Sequence, residues 1–397
     1  MNKIPLIIYQ EWLSGFGEQT LTMHGFLTIG KFIKETFGDK YFITYKIWIE
    51  CEKEIPDDKL LRYTLNTDKM KKYVDDVIFV PDNGKSYRYE SLFLTDASEY
   101  KPVGNGNWAW GGAYYPAENQ VLIHKDFYDE HDAKIIDDFI KNNITSHPMS
   151  NGQASYREKT SAVPVIADDL YSDLIKKIAE DYCNKNELTS FISMHYRIRA
   201  PLLTENSTIS NLYYWWTPDA EKEYSQDTIN LFSSLIHEGN KYFISSNSLE
   251  LKKSLANKFN NIYYIARGEF ERTNRTILMD DIYMARSMGK IYNYTLPDII
   301  PDGLFDDTDS PHFIEEFLAV LEIAIMARCT KIIHRPGCGE YNDMISLFIW
   351  NPLAIHNIPV EWHRCNSNGP YPEHMIDHLT FDTAGITSFN RIFTTRI

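Results

Sequence analysis

Residues 226–265 read QDTINLFSSLIHEGNKYFISSNSLELKKSLANKFNNIYYI. Within this stretch the periodicity changes at each step. Gln226 to Ile236 has helical spacing, Tyr242 to Ser245 is a short apolar strand, Leu249 to Phe259 is helical, and Ile262 to Ile265 is strand again. Alternating strands and helices build a parallel sheet covered by helices. Working outward, a helix ending near Asn186 leads into a strand at Phe191 to Met194. On the other side, the strongly apolar helix Ile314 to Arg328 is followed by strand Lys331 to Ile333, a glycine turn, and helix Asn342 to Ile349. This is a doubly wound pattern, whose ligands bind at the carboxyl ends of the strands.

The first half repeats the theme more faintly. Ile4 to Tyr9 is a short apolar run, followed by the turn Ser14-Gly15-Phe16-Gly17 and by Leu21, Ile29, Phe32, Ile33 and Phe37 at helical spacing. Tyr41 to Ile49 alternates and is rich in β-branched and aromatic residues, as a strand requires. Strand, helix and strand in that order predict a parallel pair joined by a right-handed crossover. From Leu60 to Tyr128 the signal weakens, and Val103 to Gly112 is loop material by its glycines. Asp132 to Asn143 is helical, and the polar stretch Thr145 to Thr160 has the composition of a loop or linker. The expectation is two Rossmann-like, doubly wound α/β domains facing a cleft, residues 1–185 and 186–397.

Composition narrows the function classes. The 397 residues are 43% apolar and 24% charged, which excludes a disordered chain. No run approaches the ~18 apolar residues of a membrane span, and the start Met1-Asn2-Lys3 with Ile4 to Ile8 is too short for a signal peptide, so cytoplasm is the expected compartment. Acidic residues outnumber basic ones by 55 to 40, which argues against non-specific nucleic-acid binding and leaves any anionic ligand to a few local basic groups. Five cysteines without C-x-x-C spacing suit neither a disulfide framework nor a zinc knuckle.

Several motifs sit where a doubly wound sheet would present them. Gly15-Phe16-Gly17 suggests a dinucleotide turn, but Thr20 stands where the third glycine belongs, so a tight strand-to-helix turn is the plainer reading. His195-Tyr196-Arg197-Ile198-Arg199 follows a strand, placing two guanidiniums where they can grip a diphosphate through charge-assisted hydrogen bonds. His334-Arg335-Pro336-Gly337-Cys338-Gly339-Glu340 joins a strand to a helix, and its glycines let backbone N–H groups approach a phosphate. Asp306-Asp307-Thr308-Asp309 and Asp280-Asp281 invite a metal, but the first group reads as a solvated loop. His363, His374 and His378 lack the compact spacing of a zinc site.

Taken in order, these residues resemble the GT-B fucosyltransferase superfamily, including the core α1,6-fucosyltransferases and the rhizobial nodulation fucosyltransferases. Gly15-Phe16-Gly17-Glu18-Gln19 resembles the family's Gly-aromatic-Gly-x-Gln turn, and His195-Tyr196-Arg197 its His-x-Arg motif. Thr204-Glu205 falls eight residues after Arg197, the family's spacing for its catalytic carboxylate. Tyr242 to Asn247 resembles a strand that ends in Thr-Asp, Glu322 matches an Asp that reads guanine, and Gly337-Cys338-Gly339 takes the place of a serine-rich phosphate turn. Ala200 and Asn247 depart from the family's acidic residues at those positions.

The resemblance implies a GT-B-like fold with an acceptor-side first domain and a nucleotide-sugar-binding second domain. It implies an inverting, metal-independent glycosyltransferase that needs no cofactor and uses a GDP-sugar, fucose first, as co-substrate. Glu205 and Arg197 are the catalytic pair it implies. Gly15, Gly17, His195, Arg197, Arg199, Ser246, Asn247, Glu322, Gly337, Cys338 and Gly339 are the donor-binding set. Trp108, Trp110, Trp215 and Trp216 are available to stack on an oligosaccharide or polysaccharide acceptor. Synthesis of a bacterial capsule or lipopolysaccharide suits a cytoplasmic enzyme of this kind. The alternatives are a transferase for another GDP-sugar, a heptose or mannose, and a non-catalytic protein that binds a GDP-sugar or glycan.

Overall fold

The computed structural model describes residues 3–12, 16–49, 63–81, 99–104, 119–143, 170–196, 218–246, 249–266, 298–305, 311–335 and 358–363. They form two compact units that divide between Ser172 and Asp173, each built on its own five-stranded sheet.

The first unit contains β1 (Ile4–Trp12), α1 (Phe16–Phe37), β2 (Tyr41–Ile49), the single turn α2 (Thr67–Met70), β3 (Asp76–Pro81), β4 (Tyr100–Pro102), β5 (Asn119–His124) and α3 (Glu130–Asn143). The strand order is β3-β2-β1-β5-β4. The expected β1–α1–β2 unit is present, with β1 and β2 parallel from Ile4 opposite Tyr41 to Trp12 opposite Ile49. Tyr41, Ile43, Tyr45 and Ile47 alternate inward and are buried, and Phe26 and Phe37 of α1 touch Tyr45 and Tyr41 on that face. Phe139 of α3 stacks on Phe32 of α1 with ring centroids 3.8 Å apart, so both helices share that side of the sheet.

Two expectations for this unit are corrected. The sheet is mixed, because β5 runs antiparallel to both β1 and β4. Antiparallel neighbours need no crossover helix, so they leave no strand–helix–strand signature in the sequence. Gly17 lies in the first turn of α1, which begins at Phe16, so the glycine turn is shorter than its spacing suggests.

The second unit follows the doubly wound pattern. Its elements are α4 (Asp173–Lys185), β6 (Phe191–Tyr196), α5 (Pro218–Leu235), β7 (Lys241–Ser246), α6 (Leu249–Lys258), β8 (Ile262–Tyr264), α7 (Pro311–Met326), β9 (Lys331–Arg335) and β10 (Val360–Trp362). All pairings are parallel, in the order β10-β9-β6-β7-β8. Because α4 packs against α7, it belongs to this unit, and the division precedes α4 rather than falling at residue 185.

The two faces of this sheet are filled by alternate residues of the same strands. On one face Met194, Tyr196, Tyr242, Ile244 and Ile333 join Ile229 and Phe232 of α5 and Leu251 and Leu255 of α6 in a single apolar cluster. On the other, Phe243 meets Tyr182 of α4 edge-on at 5.7 Å and Phe191 at 6.4 Å. Apolar side chains buried this fully contribute ~1.5–3 kcal/mol each, so this core fixes the strand ends firmly.

Cys183 and Cys329 are buried free thiols, which burial pushes up to about 11 and about 12, well away from reactive thiolates. Among the described residues no helix is long and apolar enough to cross a membrane. Helix Asn342 to Ile349 and the stretch Thr145 to Thr160 lie outside the described residues.

Candidate functional site

The chain order across the second sheet locates the site. From β6 the chain passes to β7 and then β8 on one side, then returns to place β9 and β10 on the other side of β6. The direction of winding therefore reverses between β6 and β9. In an open parallel sheet that reversal opens a crevice at the carboxyl edge, because the connecting segments diverge to opposite faces.

Two rows of side chains end the sheet there. The last row is Arg335, Tyr196 and Ser246, aligned across β9, β6 and β7. These residues are 7%, 1% and 1% exposed. The row before it is His334, His195 and Ser245, all essentially buried and projecting to the opposite face. His195 and Ser246 of the expected donor set are thus brought to one edge, on adjacent strands. The strands run further than their apolar cores suggest: His195-Tyr196 and His334-Arg335 are the final strand residues, not the start of loops. Pairing on both sides outweighs the modest strand preference of His and Arg.

His195 and His334 bridge the two strands of the reversal directly. Their Nδ1 atoms are 3.0 Å apart, and the rings stack at 5.0 Å with 22° between planes. Such a bond requires an N–H on one ring and a lone pair on the other, so the pair shares one proton between the two Nδ1 atoms. Burial drives the His334 pKa down to about 3, so its imidazole is neutral at ordinary pH.

One strand further, a buried ion pair closes the edge. Lys252, near the start of α6, donates from Nζ to Glu322 Oε1 of α7 at 2.6 Å and to the Ile265 carbonyl, just past β8, at 2.9 Å. Ser245 donates from Oγ to Glu322 Oε2 at 2.9 Å. The Lys252 and Glu322 side chains are both 0% exposed. The expected role of Glu322 is corrected by this geometry. Both carboxylate oxygens already accept from groups of this chain, and no surface is left for the edge of a guanine, so Glu322 anchors Ser245 and the β7 end.

A second polar group sits at the outer strand. Glu361 is buried, pairs with Lys331, and accepts from or donates to His363 Nε2 at 2.5 Å according to its protonation. Burial opposes the charge on Glu361, but Lys331 and His363 together hold its pKa below the usual carboxylate value. The His363 N–H also donates to the His334 carbonyl, which extends the ladder beside the crevice.

Among the described residues one cluster has ligand atoms close enough for a metal, Asp129, His131 and Asp132. Its groups are already employed. Asp129 Oδ1 accepts from the backbone N–H groups of His131 and Asp132 at the start of α3, which lowers its pKa, and Asp132 accepts from Lys40 and Tyr41.

Gly15, Arg197, Arg199, Glu205, Asn247, Gly337, Cys338 and Gly339 lie outside the described residues, as do Trp108, Trp110, Trp215 and Trp216. So do Asp280, Asp281, the group Asp306 to Asp309, His374 and His378. Sequence reasoning missed Lys252 as a constituent of this edge, and it named Ser245 and Arg335 only within the motifs Tyr242 to Asn247 and His334 to Glu340. The Lys252-Lys253 pair reads as a solvated helix face, and only the fold shows that the first lysine is interior.

No protein-family model matches the chain, and no curated protein is similar to it. Among solved structures, it is similar to NodZ alpha-1,6-fucosyltransferase co-crystallized with GDP, at 10% identity over 91% of this chain and 94% of that one, with a TM-score of 0.38. Fucosyltransferase NodZ from Bradyrhizobium matches at 10% identity over 93% and 98%, with a TM-score of 0.41. POFUT1 in complex with GDP matches at 13% identity over 90% and 97%, with a TM-score of 0.37. At these TM-scores the likenesses carry no weight in the functional reading, which rests on the residues of this chain.

Two measurements probe this edge. Lys252→Met should destabilise the protein by about 3–5 kcal/mol in urea denaturation, because it strands a buried carboxylate, whereas Lys252→Met with Glu322→Leu should recover most of that loss. His334 binds a proton in the unfolded chain below a pKa near ~6.5 but not in the native one, so its contribution is complete above that pH and is lost as pH falls toward 3. His334→Gln should therefore lose about 2 kcal/mol less stability than the wild type between roughly pH 6.5 and 4.5. Parallel stability curves would show that His334 is protonated in the native state.

Proposed function

We propose that the chain is an inverting, metal-independent glycosyltransferase that moves a sugar, fucose first, from a GDP-sugar to a glycan acceptor. The carrying observation is the winding reversal between β6 and β9, where the His195-Tyr196-Arg197 motif leaves the sheet beside the strand that leads to Gly337-Cys338-Gly339. This juxtaposition supports a diphosphate site at the carboxyl edge. The choice of a GDP-sugar and of fucose rests on the motif resemblance as a whole, with Glu322 engaged by Lys252 and Ser245.

Each proposed role follows from chemistry. The diphosphate gains negative charge as the glycosidic bond breaks, and Arg197, with Arg199 and the amides of Gly337 to Gly339, would stabilise that charge in place of a metal. Ser246, at the end of β7, offers a hydroxyl beside the same crevice. Gly15 and Gly17 belong to the donor-binding set that the motif resemblance implies. Inversion needs one base to take the proton of the acceptor hydroxyl while the anomeric carbon leaves GDP, and Glu205 is assigned that task. The tryptophans named above would stack on acceptor sugar rings. A cytoplasmic role in making a bacterial surface polysaccharide is the biological setting proposed.

The test pairs binding with turnover. GDP should raise the melting temperature of the wild type and of Glu205→Gln alike, because a base that faces the acceptor does not touch the nucleotide. Acceptor-dependent release of GDP should fall by roughly 10²–10⁴-fold in the variant, in the presence of EDTA as in its absence. GDP binding without any acceptor-dependent release from the wild type would favour the binding-protein alternative.

A further inference from the structure

The outer strand carries a polar pair that the proposed reaction does not use. Glu361 and His363 stand two residues apart at the carboxyl end of β10, on one face of the sheet. The bond from the His363 N–H to the His334 carbonyl continues the ladder one residue past Trp362, which brings His363 level with the last row of the sheet. The Glu361 and His363 side chains are 8% and 13% exposed, so the carboxylate lies inside and the imidazole nearer the edge.

Both oxygens of Glu361 are engaged, Oε2 by Lys331 and Oε1 by His363 Nε2 at 2.5 Å. Lys331 and His363 hold the Glu361 pKa below the usual carboxylate value, so at neutral pH the carboxylate accepts and the ring donates its Nε2–H. In a neutral imidazole that bond fixes the tautomer and leaves the lone pair on Nδ1. Among the described residues no group bonds to Nδ1. A buried carboxylate thus orients a ring whose other nitrogen is a hydrogen-bond acceptor.

The place of β10 in the sheet indicates what that acceptor meets. In a doubly wound sheet the phosphates of a nucleotide lie at the end of a strand bordering the reversal, and the next strand outward ends in an acceptor for the ribose hydroxyls. Here β9 borders the reversal, and β10 pairs parallel along its outer side. The acid that would serve at the end of β10 is Glu361, which Lys331 and His363 occupy, so the acceptor there is the ring that Glu361 holds.

We infer that His363, oriented by Glu361, accepts a hydrogen bond at Nδ1 from a ribose hydroxyl of the bound nucleotide. The inference rests on the nucleotide reading of the crevice, but it concerns the ribose and not the base or the sugar transferred. Glu361 is a positioning residue in this account, and Lys331 balances its charge.

The experiment titrates GDP, UDP and the 2′-deoxy and 3′-deoxy forms of each into the wild type and His363→Phe by calorimetry. The wild type should bind GDP about 10-fold more tightly than at least one of its deoxy forms, the worth of one hydrogen bond. His363→Phe keeps a ring of similar size without the acceptor. It should weaken GDP by about 10-fold and leave that deoxy form unchanged, so the preference disappears. A wild type that does not distinguish ribose from either deoxyribose would overturn the inference. So would a His363→Phe protein that keeps the full preference, or one that loses GDP and both deoxy forms equally, as a purely structural histidine would. If His363→Phe does not fold, His363→Gln is read by the same ratio: a reduced preference supports the contact and an undiminished one overturns it. Wild-type protein that binds UDP as well as GDP, with the same ribose preference, would contradict the guanine reading and leave the His363 contact standing. Wild-type protein that binds no nucleotide would overturn both.

Discussion

The pairing of Lys252 with Glu322 is the constraint on which the second unit depends. Neither side chain has any exposure, and a charge placed so deeply is tolerated only when its partner is in place. Lys252 comes from α6, whose apolar residues pack on the Tyr242 and Ile244 face, whereas Glu322 comes from α7 and meets Ser245 on the other. The pair therefore ties helices on opposite faces across the carboxyl end of β7, and the Ile265 carbonyl adds the end of β8. Four elements converge on two charges, which leaves little freedom in where β7 stops.

That rigidity matters because the neighbouring strands end at the winding reversal. The His195–His334 bond spans the reversal itself and holds β6 and β9 in register at their carboxyl ends. Polar groups there are matched in pairs below the edge, and the last row ends in an arginine, a tyrosine and a serine. An acidic protein can bind an anion at such a point because short-range geometry outweighs a net charge spread over the whole surface and screened beyond ~8 Å at physiological salt.

The second unit was largely legible in the sequence because each strand and helix from Phe191 to Met326 carries its own periodicity, and parallel pairing requires the helices that the pattern shows. The first unit was legible through Ile4 to Tyr9, the crossover helix, Tyr41 to Ile49 and the helix Asp132 to Asn143. β4 is three residues long and β5 opens with polar Asn119 and Gln120, which leaves only a short apolar run, so neither rises above loop composition. Glu322 was singled out as the match to an Asp that reads guanine, whereas its partner Lys252 lies 70 residues away. Long-range ionic partners leave no local trace.

Hydrogen exchange of backbone amides with and without GDP tests most directly whether the β6–β9 reversal is the nucleotide site. Binding there would shield backbone amides at the carboxyl ends of β6 and β9, so peptides covering residues 191–200 and 331–340 should gain protection. Unchanged exchange in both segments at saturating GDP, or protection confined to the first unit, would contradict the assignment.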